Sequence, residues 1–174
     1  MNRLPIPGPI PGLALAALTL IADQAVKLWV MGPLALPLVG QVRVLPIFNF
    51  TWAENRGISL GLLNGDSGAQ RWLLVALTGA ISLGVLFWMS REKQRGDVLA
   101  LGLVLGGALG NIIDRVRLGF VADYADLHFG ELRPFFIFNL ADAAISIGVL
   151  IILARSVLSR EKRAEPPAQG ATES

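Results

Sequence analysis

Five aspartates stand inside or beside apolar runs in this 174-residue chain: Asp23, Asp114, Asp123, Asp126 and Asp142. A charge inside a membrane-spanning segment costs roughly 3 kcal/mol on insertion scales, so each such residue is a candidate for function. Two carboxylates a few ångströms apart cannot both ionise, and one keeps a proton while the other acts as a base. The base can deprotonate water and the acid can polarise a carbonyl. That chemistry is peptide-bond hydrolysis without a covalent intermediate. Spacing along the chain does not choose the pair. Other chemistries are poorly supplied. The chain has no cysteine, which excludes disulfides and thiolate catalysis, and His128 is the one histidine, which excludes a His-rich metal site. There is no His-Glu-x-x-His and no P-loop. We therefore expect neither metal nor cofactor.

Three places hold the polar residues. Asp23 and Lys27 are four apart, so they share a helix face and can pair; the local reading is an ion pair that orients the first helix. Gly102, Gly106 and Gly110 repeat every fourth residue and make a flat face for close helix approach. Asn111, Asp114 and Arg115 follow them at a polar exit. Asn139, Asp142 and Ser146 lie on one face of the last apolar run, with Ala141, Ala143 and Ala144 leaving room for a helix or a substrate chain. Helix packing accounts for Asn139 but poorly for Asp142. His128 reads as an interfacial side chain, and Gly65-Asp66-Ser67-Gly68 reads as a turn.

The elements that must position these residues follow from composition. Apolar residues make up 53% and charged residues 16%, against about 25% charged in soluble domains. Mean hydropathy is +0.59, so the bilayer is the main solvent. A spanning helix needs about 20 mostly apolar residues. Four runs qualify, at about 11–30, 72–89, 98–113 and 135–153. Only Arg3 precedes the first run, and Asp23 and Lys27 lie within it, which argues against a cleaved signal peptide. Between the first two spans, Pro33, Pro37 and Pro46 break helices, and 41–45 and 47–52 are rich in strand formers. The expected fold is an all-α membrane protein of four spans. It carries a small extracytoplasmic β element, and a short extracytoplasmic loop or helix joins spans three and four. Residues 1–158 form one domain, and 159–174 form a disordered cytoplasmic tail.

Orientation follows the positive-inside bias. With both termini in the cytoplasm, the shorter inside pieces hold eight Lys or Arg residues and the longer outside pieces hold six. The net charge of +2 is small, and in a membrane protein a slight basic excess is topological. No nucleic-acid partner is expected.

Several blocks now stand in order: Asp-Gln-Ala-Val-Lys at 23–27, Asn-Arg-Gly at 55–57, Gly-Gly-Ala-Leu-Gly-Asn-Ile-Ile-Asp-Arg at 106–115, Gly-Phe-Val-Ala-Asp-Tyr at 119–124 and Phe-Asn-Leu-Ala-Asp-Ala-Ala-Ile at 138–145. Together, on a four-span frame, they resemble the lipoprotein signal peptidases, also called signal peptidase II. The resemblance implies that Asp123 and Asp142 are the catalytic aspartates. It implies supporting or substrate-binding roles for Asp23, Lys27, Asn55, Gly57, Asn111, Arg115, Asn139 and Ala141. It further implies cleavage of a diacylglyceryl-modified prolipoprotein just before the lipidated cysteine, with the lipid in the bilayer among the helices. The site would lie near the periplasmic face of the inner membrane, and globomycin would inhibit. The family loop usually continues Asn-x-Gly-x-Ala-Phe, whereas Ser59 and Leu60 fill the last two places here. A small transporter is the rival reading, since intramembrane carboxylates and glycine-rich helices also suit one. The lack of a repeat and the large segment between spans one and two argue against it.

Overall fold

The computed structural model describes residues 8–57, 67–130 and 132–164. The elements are α1 (Ile10–Met31), α2 (Leu36–Val39), β1 (Gln41–Leu45), β2 (Phe48–Asn55), α3 (Ser67–Arg91), α4 (Arg95–Leu118), β3 (Val121–Leu127) and α5 (Leu140–Ala164). Among the described residues α1, α3, α4 and α5 are long and apolar enough to cross a membrane. The four-span expectation holds. Ser59, Leu60, Gly65 and Asp66, the chain before residue 8 and the tail from 165 lie outside the described residues.

Helix α4 is the centre of the bundle, packed against α1, α3 and α5. Glycine makes this possible. A Cβ on Gly106 would strike the carbonyl oxygen of Ala16 and the side chain of Thr19 in α1, and one on Gly107 would strike the carbonyl of Ala141 in α5. Backbones therefore meet where side chains would otherwise separate them, as in small-xxx-small helix pairs. The consequence reaches the site: Gly110 lies directly against the Asp23 carboxylate. Away from this seam, α3 turns Trp72, Leu73, Leu77, Ile81 and Phe87 outward, as lipid-facing positions should be.

At one end of the bundle the chain builds a three-stranded antiparallel sheet in the order β1-β2-β3. Arg43 pairs with Asn49, and Asn49 pairs with Asp126, so one face of the sheet is polar. The other face is aromatic. Phe50 meets Phe48 edge-on at 5.3 Å and Trp29 at 5.8 Å, and the cluster buries Val30, Leu36 and Tyr124. This apolar layer fixes the sheet to the end of α1. Helix α2 was not expected; Pro37 sits in its first turn, where a missing N–H costs nothing.

Several boundaries differ from the sequence reading. The second spanning helix starts at Ser67 rather than 72, so Ser67 and Gly68, expected in a turn, lie in the helix. The third spanning helix runs to Leu118 rather than 113, because Asp114 has partners within the bundle. The joining segment, expected as a loop or short helix, holds strand β3. The fourth helix begins at Leu140, not 135. Phe138 is instead extended and exchanges backbone hydrogen bonds with Ala125, at 2.7 and 3.1 Å. At the other end α5 continues to Ala164, into the stretch expected as a disordered tail.

Candidate active site

Two asparagines organise the site. Asn139 precedes α5 and Asp142 stands in its first turn. The Asp142 N–H donates to Asn139 Oδ1 at 2.9 Å, and the Asn139 N–H donates to Asp142 Oδ2 at 3.3 Å. This reciprocal arrangement is a capping box, which satisfies two N–H groups at the helix start. It leaves the Asn139 side-chain amide free to donate to Asp123 Oδ1 at 2.7 Å and to Asn111 Oδ1 at 3.2 Å. Asn111, from α4, donates to Asp142 Oδ1 at 2.8 Å. Asp123 from β3 thus accepts from Asn139 and Asp142 from α5 accepts from Asn111, and the two amides are bonded to each other. Asp123 and Asn139 are buried.

Electrostatics separates Asp123 from an ordinary aspartate. Burial, and then the neighbouring Asp142 carboxylate, push the Asp123 carboxyl up to about 6, against the hydrogen bonds of Asn55 and Asn139. Among the described residues neither Asp123 nor Asp142 forms an ion pair. Arg115 is close enough to interact with Asp142, Asp123 and Asp114, and its Nε has no partner among the described residues.

Behind the amides lies a buried cluster in which two carboxylates share one ammonium. Lys27 Nζ meets Asp114 Oδ2 at 2.7 Å, Asp23 Oδ2 at 2.9 Å and Asn111 Oδ1 at 3.3 Å. These three acceptors use the whole donor capacity of an ammonium. Asp23 Oδ1 also accepts from the Ala141 N–H at 3.1 Å, and Asp114 Oδ2 from the Ala122 N–H at 3.1 Å. Gln24 donates to Asp114 Oδ1 at 3.0 Å and to Asp23 Oδ2 at 3.1 Å. The cluster therefore ties the end of α1 to α4, to the start of β3 and to the start of α5.

In front of the carboxylates the protein opens. A cavity of about 850 Å³ is lined by Asn55, Gly57, Asp123, Arg133 and residues 134–137. A second, of about 470 Å³, is lined by Asn55, Asp142, Ser146 and residues 135–138. One carboxylate faces each cavity, and Asn55 with Phe135 and Phe136 borders both. Gly57 has φ +88° and its N–H donates to Asn55 Oδ1 at 3.0 Å. That turn needs the left-handed backbone glycine allows, and it holds Asn55 at the cavity mouth.

The family model of signal peptidase (SPase) II matches residues 15–158. The chain belongs to the signal peptidase II family. It is similar to the lipoprotein signal peptidase of Sphingopyxis alaskensis, 52% identical over 158 residues that cover 91% of each chain. It is also similar to that of Methylobacterium radiotolerans, 45% identical and covering 89% of this chain and 91% of the relative. A solved bacterial membrane enzyme superposes with a TM-score of 0.73 at 26% identity, covering 91% of this chain and 94% of that one. As a signal peptidase II family member the chain is a membrane peptidase with several spans.

On this peptidase the sequence-predicted site residues fall into three groups. Asp23, Lys27, Asn111, Asn139, Ala141, Asp123 and Asp142 are joined in one hydrogen-bond network. Asn55 and Gly57 stand at the cavities, and Arg115 lies alongside. Asp114 is withdrawn to Lys27, and Asp126 is held by Thr51 Oγ1 at 2.9 Å and Arg133 Nη1 at 2.8 Å. Sequence reasoning missed Gln24 as a bridge between two carboxylates. It also missed Tyr124, whose hydroxyl accepts from the Leu140 N–H at 3.2 Å. Gln24 carried a signal, being adjacent to Asp23; Tyr124 carried none before the β3 register was known.

Proposed function

We propose that this chain is an aspartyl endopeptidase that removes signal peptides from diacylglyceryl-modified prolipoproteins, with Asp123 and Asp142 as the catalytic pair. The observation that carries the reading is the shared Asn139 amide. It holds Asp123 directly and Asp142 through the capping box, at the mouths of two cavities. The names of the relatives, lipoprotein signal peptidases, support the substrate class.

The chemistry divides between the two carboxyls. Asp123, the one pushed up to about 6, holds the shared proton. Asp142 accepts two hydrogen bonds at the N-terminus of α5, a setting that suits negative charge. The Asp142 carboxylate takes a proton from water as the water oxygen bonds to the peptide carbonyl carbon. Asp123 gives its proton to the carbonyl oxygen. The tetrahedral species then collapses: the C–N bond breaks, the leaving nitrogen receives the proton from Asp142, and Asp123 is reprotonated by the second hydroxyl. Asn111 and Asn139 position the pair, and the Lys27 cluster positions them.

The sheet end of the bundle carries this site, so we place it at the periplasmic face of the inner membrane, with both termini in the cytoplasm. The opposite end supports that orientation, since it holds Arg91, Lys93 and Arg95 in the α3–α4 turn, with Arg155 bonded to Asp97 and Gln94. The apolar cavity beside Asp142, with Ile147 on α5, suits the acyl chains of the substrate.

The test is cleavage of a diacylglyceryl-modified prolipoprotein by the purified protein in detergent, with and without globomycin. Inhibitable cleavage before the lipidated cysteine is expected. A folded sample that cuts nothing overturns the reading.

A further inference from the structure

The sheet carries a third cavity, of about 370 Å³, on its polar face; Gln41, Arg43, Asn49, His128 and Arg133 line it. Among the described residues its charges do not cancel. Asp126 is paired with Arg133, so one arginine and the one buried carboxylate nearby neutralise each other. Arg43 has no acidic partner among the described residues. The His128 ring also lines it. Its Nε2 meets the Asn49 side-chain amide at 2.9 Å, and its Nδ1 is buried without a partner among the described residues. With the amide donating to Nε2, the neutral ring carries its proton on Nδ1, a donor in search of an acceptor. The cavity thus sets the Arg43 guanidinium, unpaired among the described residues, beside the His128 ring, and an anionic oxygen would pair with that guanidinium.

The rim narrows the source of that anion. Leu45 and Ile47 at the β1–β2 hairpin tip, and Phe129 and Leu132 beside it, are exposed at 45–65%. A cationic cavity lined by exposed Leu45, with exposed Ile47, Phe129 and Leu132 adjacent in sequence to its lining or one bridge away, on a sheet attached to the ends of spanning helices, matches the boundary between phosphate and acyl layers. Basic groups there attract anionic lipid. We propose that this cavity binds the phosphate of an anionic phospholipid headgroup in the adjacent leaflet. The proposal does not depend on the peptidase assignment. It touches that site only through Arg133, which lines both this cavity and the one holding Asp123.

Native mass spectrometry of the intact protein, released from detergent and titrated with phosphatidylglycerol or phosphatidylcholine, tests it. Phosphatidylglycerol should be retained more strongly than phosphatidylcholine. Arg43→Gln should weaken it about five-fold, the effect of one basic residue at a charged bilayer surface. Arg43→Lys should restore most of the difference, and His128→Ala should weaken retention less than Arg43→Gln. Arg43 is exposed, so the melting temperature should not change. Equal retention of the two lipids by wild type, or of phosphatidylglycerol by wild type and Arg43→Gln, overturns the proposal. Displacement by millimolar inorganic phosphate overturns the lipid source and assigns the cavity to free phosphate. Displacement by an acidic peptide but not by phosphate also overturns it, and marks the cavity as a peptide subsite.

Discussion

Asp23 and Asp114 share one ammonium, whereas Asp123 and Asp142 each accept from one of two linked neutral amides, and the two pairs are joined through Asn111. All four carboxyls stand at the same end of the bundle. The first pair lies behind the seam between α1 and α4, where Lys27 and Asp23 are almost fully buried and every ammonium proton is used. The second opens on cavities, with no ion pair among the described residues. Charge compensation makes a carboxylate inert and rigid; its absence leaves a group able to exchange a proton. The difference separates a structural cluster from a reactive one within a single hydrogen-bond network.

The sharpest way to break this comparison is to neutralise the reactive pair. Asp123→Asn and Asp142→Asn should each lower turnover by at least about 10³-fold, within the range for loss of a general acid or base. Both should leave the protein folded and inserted. Substantial activity in either, measured beside a detergent melting curve, would remove that aspartate from the chemistry.

Removing the cation from the other cluster should show the opposite pattern. Lys27→Ala leaves Asp23 and Asp114 buried without compensation, a loss of about 3–5 kcal/mol for a broken buried pair. The expected result is a large fall in melting temperature, with turnover reduced only as far as folding is. Lost turnover at unchanged melting would make Lys27 part of the chemistry instead.

The pH dependence sharpens the contrast. Asp123 is raised to about 6, so the fold favours its protonated form. Below about pH 4 the carboxyl is protonated in both folded and unfolded chains, and no cost arises. The cost grows as pH rises from about 4 to about 6 and is complete above, at up to about 3 kcal/mol. Asp123→Asn removes it. The melting temperature of Asp123→Asn minus that of wild type should therefore increase from pH 4 to pH 7 and then level off. A flat difference would mean Asp123 is not held against its charge.

The smallest effect is expected at Asp126. It is buried, but it accepts from Thr51 and Arg133, away from the linked amides. Asp126→Asn weakens one charge-assisted bond, worth about 2 kcal/mol, and turnover should stay within a few-fold of wild type. A null enzyme would shift the catalytic assignment toward Asp126.

Much of this was legible in the sequence, and the exceptions have physical causes. The four spans follow from runs of apolar residues, since a bilayer demands about 20 of them whatever they pack against. The Asp23–Lys27 pair followed from helix periodicity, and the α4 seam from glycines four apart. The start of α5 was misplaced because residues 135–138 are as apolar as the helix they precede. Hydropathy cannot distinguish an apolar extended segment from an apolar helix, and only the backbone bonds between Phe138 and Ala125 show which it is. Residues 121–127 did not read as a strand, because Asp123 and Asp126 are poor strand formers and their pairing partners lie some 70 residues earlier in β2.

The sequence by itself determined the solvent, the number of spans and the set of polar residues from which a site could be built, because these depend on composition and local period. The tertiary structure alone decided which carboxylates meet. Asp114 goes to Lys27 because Gly106 and Gly110 let α1 approach α4 closely. Asp123 goes to Asn139 because β3 pairs with β2 in one register. Both are long-range packing outcomes, and no spacing along the chain encodes them.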